Sequence, residues 1–157
     1  MRPTIYTVQR PGAGTISTMG KPRSNRWLAG DMTALREMGV DILVSAMTLD
    51  ERLRWGLGDE EKAALEAGLQ FVEIPIPDRT VPNRAEIASA IAHLTGEYRA
   101  GRHIVFHCWA GIGRSSLLAA SVLVLDGETP ERAWELITDA RGFPVPDTEE
   151  QRAWLQA

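Results

Sequence analysis

The 157-residue chain contains one cysteine, Cys108, so no disulfide can close within it. No apolar run approaches the ~18–20 residues that span a bilayer, which argues against membrane insertion. There is no surplus of positive charge either. Seventeen Lys and Arg against 21 Asp and Glu leave a net charge of −4, which argues against an electrostatic grip on nucleic acid. The three histidines, His93, His103 and His107, show neither i, i+4 pairing nor Cys/His spacing, so neither metal nor other cofactor is expected. The first twenty residues hold Arg2, Arg10 and several Gly and Pro, but no apolar stretch before a small-residue cleavage site. A cytoplasmic setting is therefore expected. Internal repeats, low-complexity tracts and charge blocks are absent, and the nine prolines are scattered. One domain over 1–157 is expected, large enough to bury about 70% of the surface its unfolded chain exposes.

What is present is an alternation of helical and extended patterns. Residues 1–25 read as an irregular lead-in, because Gly12, Gly14, Gly20 and Pro22 break any period. Asp31 then reads as the cap of a short helix through Met38, ended by Gly39, with a buried strand over Val40 to Val44. Asp59 to Ala67 reads as a helix stopped by Gly68, followed by a strand from Leu69 to Ile74 that Pro75 and Pro77 terminate. Asn83 with Glu86 is a capping-box signature for a long helix ending near Gly101. A strand over Arg102 to His107, a helix from Gly113 or Arg114 to Asp126, a helix from Thr129-Pro130 through Ala140 and one after Pro146 complete the series. This order predicts an α/β fold with a central, mainly parallel sheet flanked by helices, and ligands bind such sheets at the carboxyl ends of the strands.

One segment carries chemistry at such an end. Ile104-Val105-Phe106 leads to His107 and Cys108, then Trp109-Ala110-Gly111-Ile112-Gly113 turns into the helix that opens with Arg114 and Ser115. Two glycines in a five-residue turn let successive N–H groups point inward, and the helix adds the positive end of its dipole, so the loop is expected to cradle a tetrahedral oxyanion. Arg114 can present a planar fork to two anion oxygens. The same electropositive setting favours Cys108 as a thiolate, a nucleophile aimed at phosphorus. Taken alone, a single cysteine is more often an inert core residue.

The run His107-Cys108-x5-Arg114-Ser115 resembles the H-C-x5-R-[ST] signature of the cysteine-based protein tyrosine phosphatase superfamily. The short chain resembles its compact dual-specificity-like branch. The resemblance implies attack by Cys108 on a phosphomonoester to give a phosphocysteine, with Arg114 and the loop of His107, Trp109, Ala110, Gly111, Ile112 and Gly113 holding the phosphate. It implies that Ser115 hydrogen-bonds the departing thiolate, and that His107 orients the loop. A general acid is required, and Asp78, in Ile76-Pro77-Asp78-Arg79-Thr80-Val81-Pro82, is similar to the acid of that branch; Pro77-Asp78 also suits a simple turn. Asp147-Thr148-Glu149-Glu150-Gln151 partly matches the family's water-positioning Gln-Thr-x-x-Gln pattern, but also forms a capping box, and the structural reading is preferred. Element order matches the family from about Gly20 onward, while only the segments around Asp78 and Cys108 are specific.

The expected substrate is a phosphorylated protein or peptide, bearing phosphotyrosine and, in a shallow pocket, phosphoserine or phosphothreonine. Phosphoinositide phosphatases of the superfamily it resembles often carry lysines inside this loop, and Trp109, Ala110 and Ile112 supply none, so the resemblance disfavours lipid phosphate. Trp109 either packs under the loop or lines its rim, and Trp27, Trp55, Trp134 and Trp154 read as core or surface aromatics. A pseudophosphatase that binds phosphorylated partners without turnover is the alternative; a sulfurtransferase fits the His-Cys…Arg-Ser frame poorly.

Overall fold

A computed structural model describes residues 2–156. Its sheet has five strands in the order β1-β2-β5-β3-β4, formed by Tyr6–Thr7 (β1), Thr15–Met19 (β2), Ile42–Ser45 (β3), Gln70–Glu73 (β4) and His103–His107 (β5). All neighbours run parallel except the edge pair β1 and β2. The mainly parallel α/β expectation is borne out, and β5, which delivers His107, is the central strand.

Alternation along the buried strands divides the core in two. Ile42, Val44, Ile104 and Phe106 face one way, toward the helices Arg84–Arg99 (α4), Arg114–Leu125 (α5) and Pro130–Arg141 (α6). Leu43 and Val105 face the other, toward Leu28–Glu37 (α1) and Ala64 of Glu60–Glu66 (α3). Between α1 and α3 lies a short helix, Leu49–Arg54 (α2), and the last helix is Glu149–Gln156 (α7). Helix α5 packs on the sheet and against α4, α6 and α7 at once, so it is apolar on nearly every side and buried from Arg114 to Ala120.

Two expectations require correction. The lead-in 1–25 is not irregular throughout: Thr15–Met19 is a strand paired along its length with His103–His107. Its Thr and Ser residues disguise it, because hydroxyls replace the apolar residues of an ordinary buried strand. Ser17 is satisfied by the Thr7 hydroxyl at 2.9 Å and the His103 ring at 2.8 Å. Gly14, which read as a breaker, permits the close approach to the end of α4 and the turn into β5, since a Cβ there would lie 2.2 Å from the Tyr98 carbonyl oxygen and 2.8 Å from that of Arg102. Asp31 does not cap α1, which begins three residues earlier; its buried carboxylate instead accepts the backbone N–H of Arg23 at 2.8 Å and its guanidinium at 2.6 Å. The pairing keeps a buried carboxylate satisfied and pins the connection after β2.

Candidate active site

Cys108 leaves the carboxyl end of β5 and is nearly buried, with Sγ 3.2 Å from the hydroxyl oxygen of Ser115 on the first turn of α5. The loop between them is anchored from outside. The Trp109 carbonyl accepts the Lys21 N–H at 3.0 Å, and the Gly111 carbonyl accepts Arg141 Nε at 3.2 Å. Across a trans peptide the next N–H points opposite its carbonyl, so these anchors turn the amides of Ala110 and Ile112 away from Lys21 and Arg141. Gly111 has φ +74° and presses on β2: a Cβ would lie 2.7 Å from the Met19 carbonyl carbon, so only glycine fits.

Arg114 is 2% exposed, and its guanidinium is held by α2. Nη1 donates to Glu51 Oε1 at 2.6 Å and to the Ile76 carbonyl at 2.8 Å, and Nη2 donates to Glu51 Oε2 at 2.9 Å. Burial opposes the charge on Arg114, but the hydrogen bonds of Glu51 and the charges of Cys108 and Asp78 outweigh it and hold the group above its ordinary range. Burial likewise opposes ionisation of Glu51, and the bonds from Arg114 and Thr48 reverse this, holding the carboxyl below its ordinary range. Part of the fork expected to face the anion is thus turned to Glu51.

Glu51 was not singled out by its sequence, yet a signal exists. Thr48 and Glu51 form a complete capping box at the start of α2, and Thr48-x-x-Glu51 reads as one. His107 also has an acidic partner that sequence reasoning missed. Its ring meets Glu60, both side chains being fully buried. Nδ1 lies 3.2 Å from the Cys108 carbonyl, which can only accept, so Nδ1 donates and one proton lies between Nε2 and the Glu60 carboxyl. His107 therefore grips the backbone of the cysteine itself. Only the acidic first turn of α3 marks Glu60 in the sequence.

Asp78 lies beyond β4, exposed, with Oδ1 3.3 Å from Arg114 Nη2. A pocket of about 200 Å³ is lined by Asp78, Arg79, Cys108, Trp109, Gly113 and Asp147 among others, which brings the expected nucleophile and acid to one cavity. Ile112, Ala110 and Arg114 complete its wall on the loop side. Trp109 lines the rim, 43% exposed, and packs edge-to-face on Trp55 with ring centroids 5.6 Å apart. The Lys21 ammonium stands 5.5 and 5.8 Å from those two rings. Trp55 and Trp109 also border a wider groove, about 690 Å³, that runs past Asp78 to Asp50 and Arg54. Gln151 Oε1 accepts the Thr148 N–H at 3.1 Å and the Gln151 backbone N–H donates to the Thr148 hydroxyl at 3.1 Å, so the 147–151 segment does form the capping box expected of it.

A nucleophile loop at the carboxyl end of a central strand, closed by a buried arginine on the following helix, is the architecture of a cysteine-based phosphatase of the dual-specificity type. Residues 17–128 match the family Tc-R-P, described as a polymorphic toxin system DSP-PTPase phosphatase, and the chain belongs to that family. It is 27% identical over 127 residues to cyclin-dependent kinase inhibitor 3 of Homo sapiens and 31% identical over 127 residues to that of Rattus norvegicus. Each comparison covers 80% of this chain and 60% of the relative, so the chain spans well under two thirds of the curated relatives' length. Among solved structures, it resembles the kinase-associated phosphatase with its catalytic-site cysteine replaced by serine, at a TM-score of 0.88 and 21% identity. That superposition covers 99% of this chain and 93% of the other.

Proposed function

We propose that the protein hydrolyses phosphomonoesters on phosphorylated proteins or peptides through a phosphocysteine intermediate, with phosphotyrosine as the primary substrate and phosphoserine and phosphothreonine as further ones. The observation that carries this is the convergence of Cys108 Sγ, the Arg114 guanidinium and the Asp78 carboxylate on one small pocket. The Cys108 thiolate attacks phosphorus in line, forming the S–P bond as the bond to the leaving oxygen breaks. An incoming phosphate oxygen replaces Asp78 as acceptor of the Nη2 hydrogen bond, and Asp78, in its protonated form, gives its proton to the leaving oxygen. The inward amides and Arg114 hold the equatorial oxygens. Water then attacks the phosphocysteine, Asp78 takes its proton, and the sulfur leaves toward the hydroxyl of Ser115.

The cytoplasm is the proposed setting, since turnover requires Cys108 reduced and a glutathione-buffered compartment keeps thiols so. The test is the Cys108→Ser variant assayed on an aryl phosphate and on phosphotyrosine, phosphoserine and phosphothreonine peptides. Loss of all turnover with retained binding of a phosphate analogue is expected; undiminished hydrolysis by the variant would overturn the assignment.

A further inference from the structure

The segment 77–82, which carries Asp78, has little of its own to hold it in place. Its internal bonds are the N–H and hydroxyl of Thr80, both on the Pro77 carbonyl at 3.1 and 2.6 Å. Asp78 and Arg79 are exposed, and Arg79 adopts φ +61°, a left-handed conformation that a residue with a long side chain rarely takes unless its surroundings impose it.

Besides Arg114, whose Nη2 lies 3.3 Å from Asp78, the contacts that meet the segment come from α7 and the residues leading into it. Asp147 Oδ2 receives Arg79 Nη1 at 2.9 Å, Gln151 Nε2 donates to the Thr80 carbonyl at 3.4 Å, and Trp154 Nε1 donates to the Pro82 carbonyl at 3.0 Å. Arg84, at the start of α4, closes the arrangement by stacking on the Trp154 ring at 4.0 Å and donating to the Trp154 carbonyl. Gln151 is fully buried, and its carboxamide also lies against Gly113, where a Cβ would come within 2.9 Å of it. Helix α7 and the residues leading into it therefore touch both halves of the pocket, the cysteine loop at Gly113 and the acid segment at Arg79, Thr80 and Pro82.

We propose that α7 is the brace of the general-acid segment: Asp147, Gln151 and Trp154 hold residues 77–82 so that Asp78 faces the phosphate, and they thereby govern protonation of the leaving group. This rests on the reading of Asp78 as the acid. The three are positioning residues, because they act through the backbone and Arg79 rather than on the phosphorus. Their contacts leave Cys108, Ser115 and the Glu51–Arg114 pair untouched.

Leaving-group dependence separates this role from general damage. With para-nitrophenyl phosphate the departing phenolate needs little protonation, whereas with phenyl phosphate it needs much more. Asp147→Asn, which removes a partly exposed charge without opening the core, is expected to lower kcat/KM on phenyl phosphate about threefold. Trp154→Phe, which removes one hydrogen-bond donor and keeps a ring, is expected to lower it about fivefold, and the double variant about tenfold. On para-nitrophenyl phosphate kcat/KM, which reports only the step that expels the phenolate, should stay within about twofold of the parent for Trp154→Phe, with the rate of Cys108 alkylation by iodoacetate unchanged. The charge exchange Arg79→Asp with Asp147→Arg should restore kcat/KM on phenyl phosphate relative to Asp147→Arg alone.

Equal losses on the two substrates, or parental rates on both, would overturn the brace. Asp78→Ala measured in parallel tells its failure from that of the acid. A steep leaving-group dependence in Asp78→Ala with none in the α7 variants removes the brace alone. No such dependence in Asp78→Ala removes the acid assignment and the brace with it.

Discussion

Glu51 grips Arg114 with both carboxylate oxygens, at 2.6 and 2.9 Å, and the two residues lie 63 positions apart on α2 and α5. The pair explains how a guanidinium can be kept charged inside the protein. One partner supplies the counter-charge, the Ile76 carbonyl takes a further hydrogen at 2.8 Å, and only Nη2 also reaches toward the pocket, at Asp78. Removing the carboxylate leaves a buried cation without its counter-ion.

Glu51→Gln is therefore expected to cost activity although residue 51 never touches the phosphorus. Hydrogen bonds to charged groups contribute about 1.5–3 kcal/mol, so loss of one lowers kcat/KM for an aryl phosphate about 10- to 100-fold. Steady-state kinetics with a thermal melt of the same sample check this, and an unchanged kcat/KM would show that Arg114 holds its aim without Glu51.

The same pair sets a limit on the acid side. The Glu51 carboxyl is held below its ordinary value of 4.5, since the bonds from Arg114 and Thr48 overcome the cost of burial. With the folded value below the unfolded one, the stabilisation is complete above about pH 4.5 and is lost as pH falls through the folded value. Melting temperatures measured from neutral pH downward should hold until that range and then drop, and Glu51→Gln should remove part of the drop.

In the proposed mechanism Ser115 acts on the second half of the reaction. Its hydroxyl lies 3.2 Å from the sulfur that must depart from phosphorus. Ser115→Ala should slow hydrolysis of the phosphocysteine about tenfold while sparing its formation, so that rapid mixing reveals a burst of phenol before the steady state. A burst-free trace with parental turnover would leave Ser115 with only a structural part.

The rim carries a prediction about binding rather than chemistry. Trp109 is 43% exposed beside the cavity and rests on Trp55. Aromatic contacts contribute about 0.5–1.5 kcal/mol, so Trp109→Ala should raise KM for a phosphotyrosine peptide about three- to tenfold with kcat little changed. Equal KM for the two proteins would place the peptide elsewhere.

The parts of the site that could be read from sequence are those whose determinants are local. His107, Cys108, the two glycines and Arg114 fall within eight residues, between an apolar strand and an apolar helix, so spacing and composition speak together. Strand β2 was hidden for the opposite reason: Thr15, Ser17 and Thr18 break the apolar run, and the groups that satisfy Ser17 come from β1 and β5. Glu60 pairs with His107 across 47 positions and Glu51 with Arg114 across 63, distances at which no period of helix or strand carries information. The Thr48-x-x-Glu51 spacing is a helix-start signal, and it says nothing of what the carboxylate meets on α5.

The contact of Gly113 with Gln151 has a consequence for the order in which the protein becomes competent. During synthesis the cysteine loop and the strand beneath it emerge before α7. A nascent chain can hold its nucleophile, its arginine and its acid and still lack the helix that touches both loops. Competence then waits on α7, and in refolding the return of turnover should trail the return of helical signal.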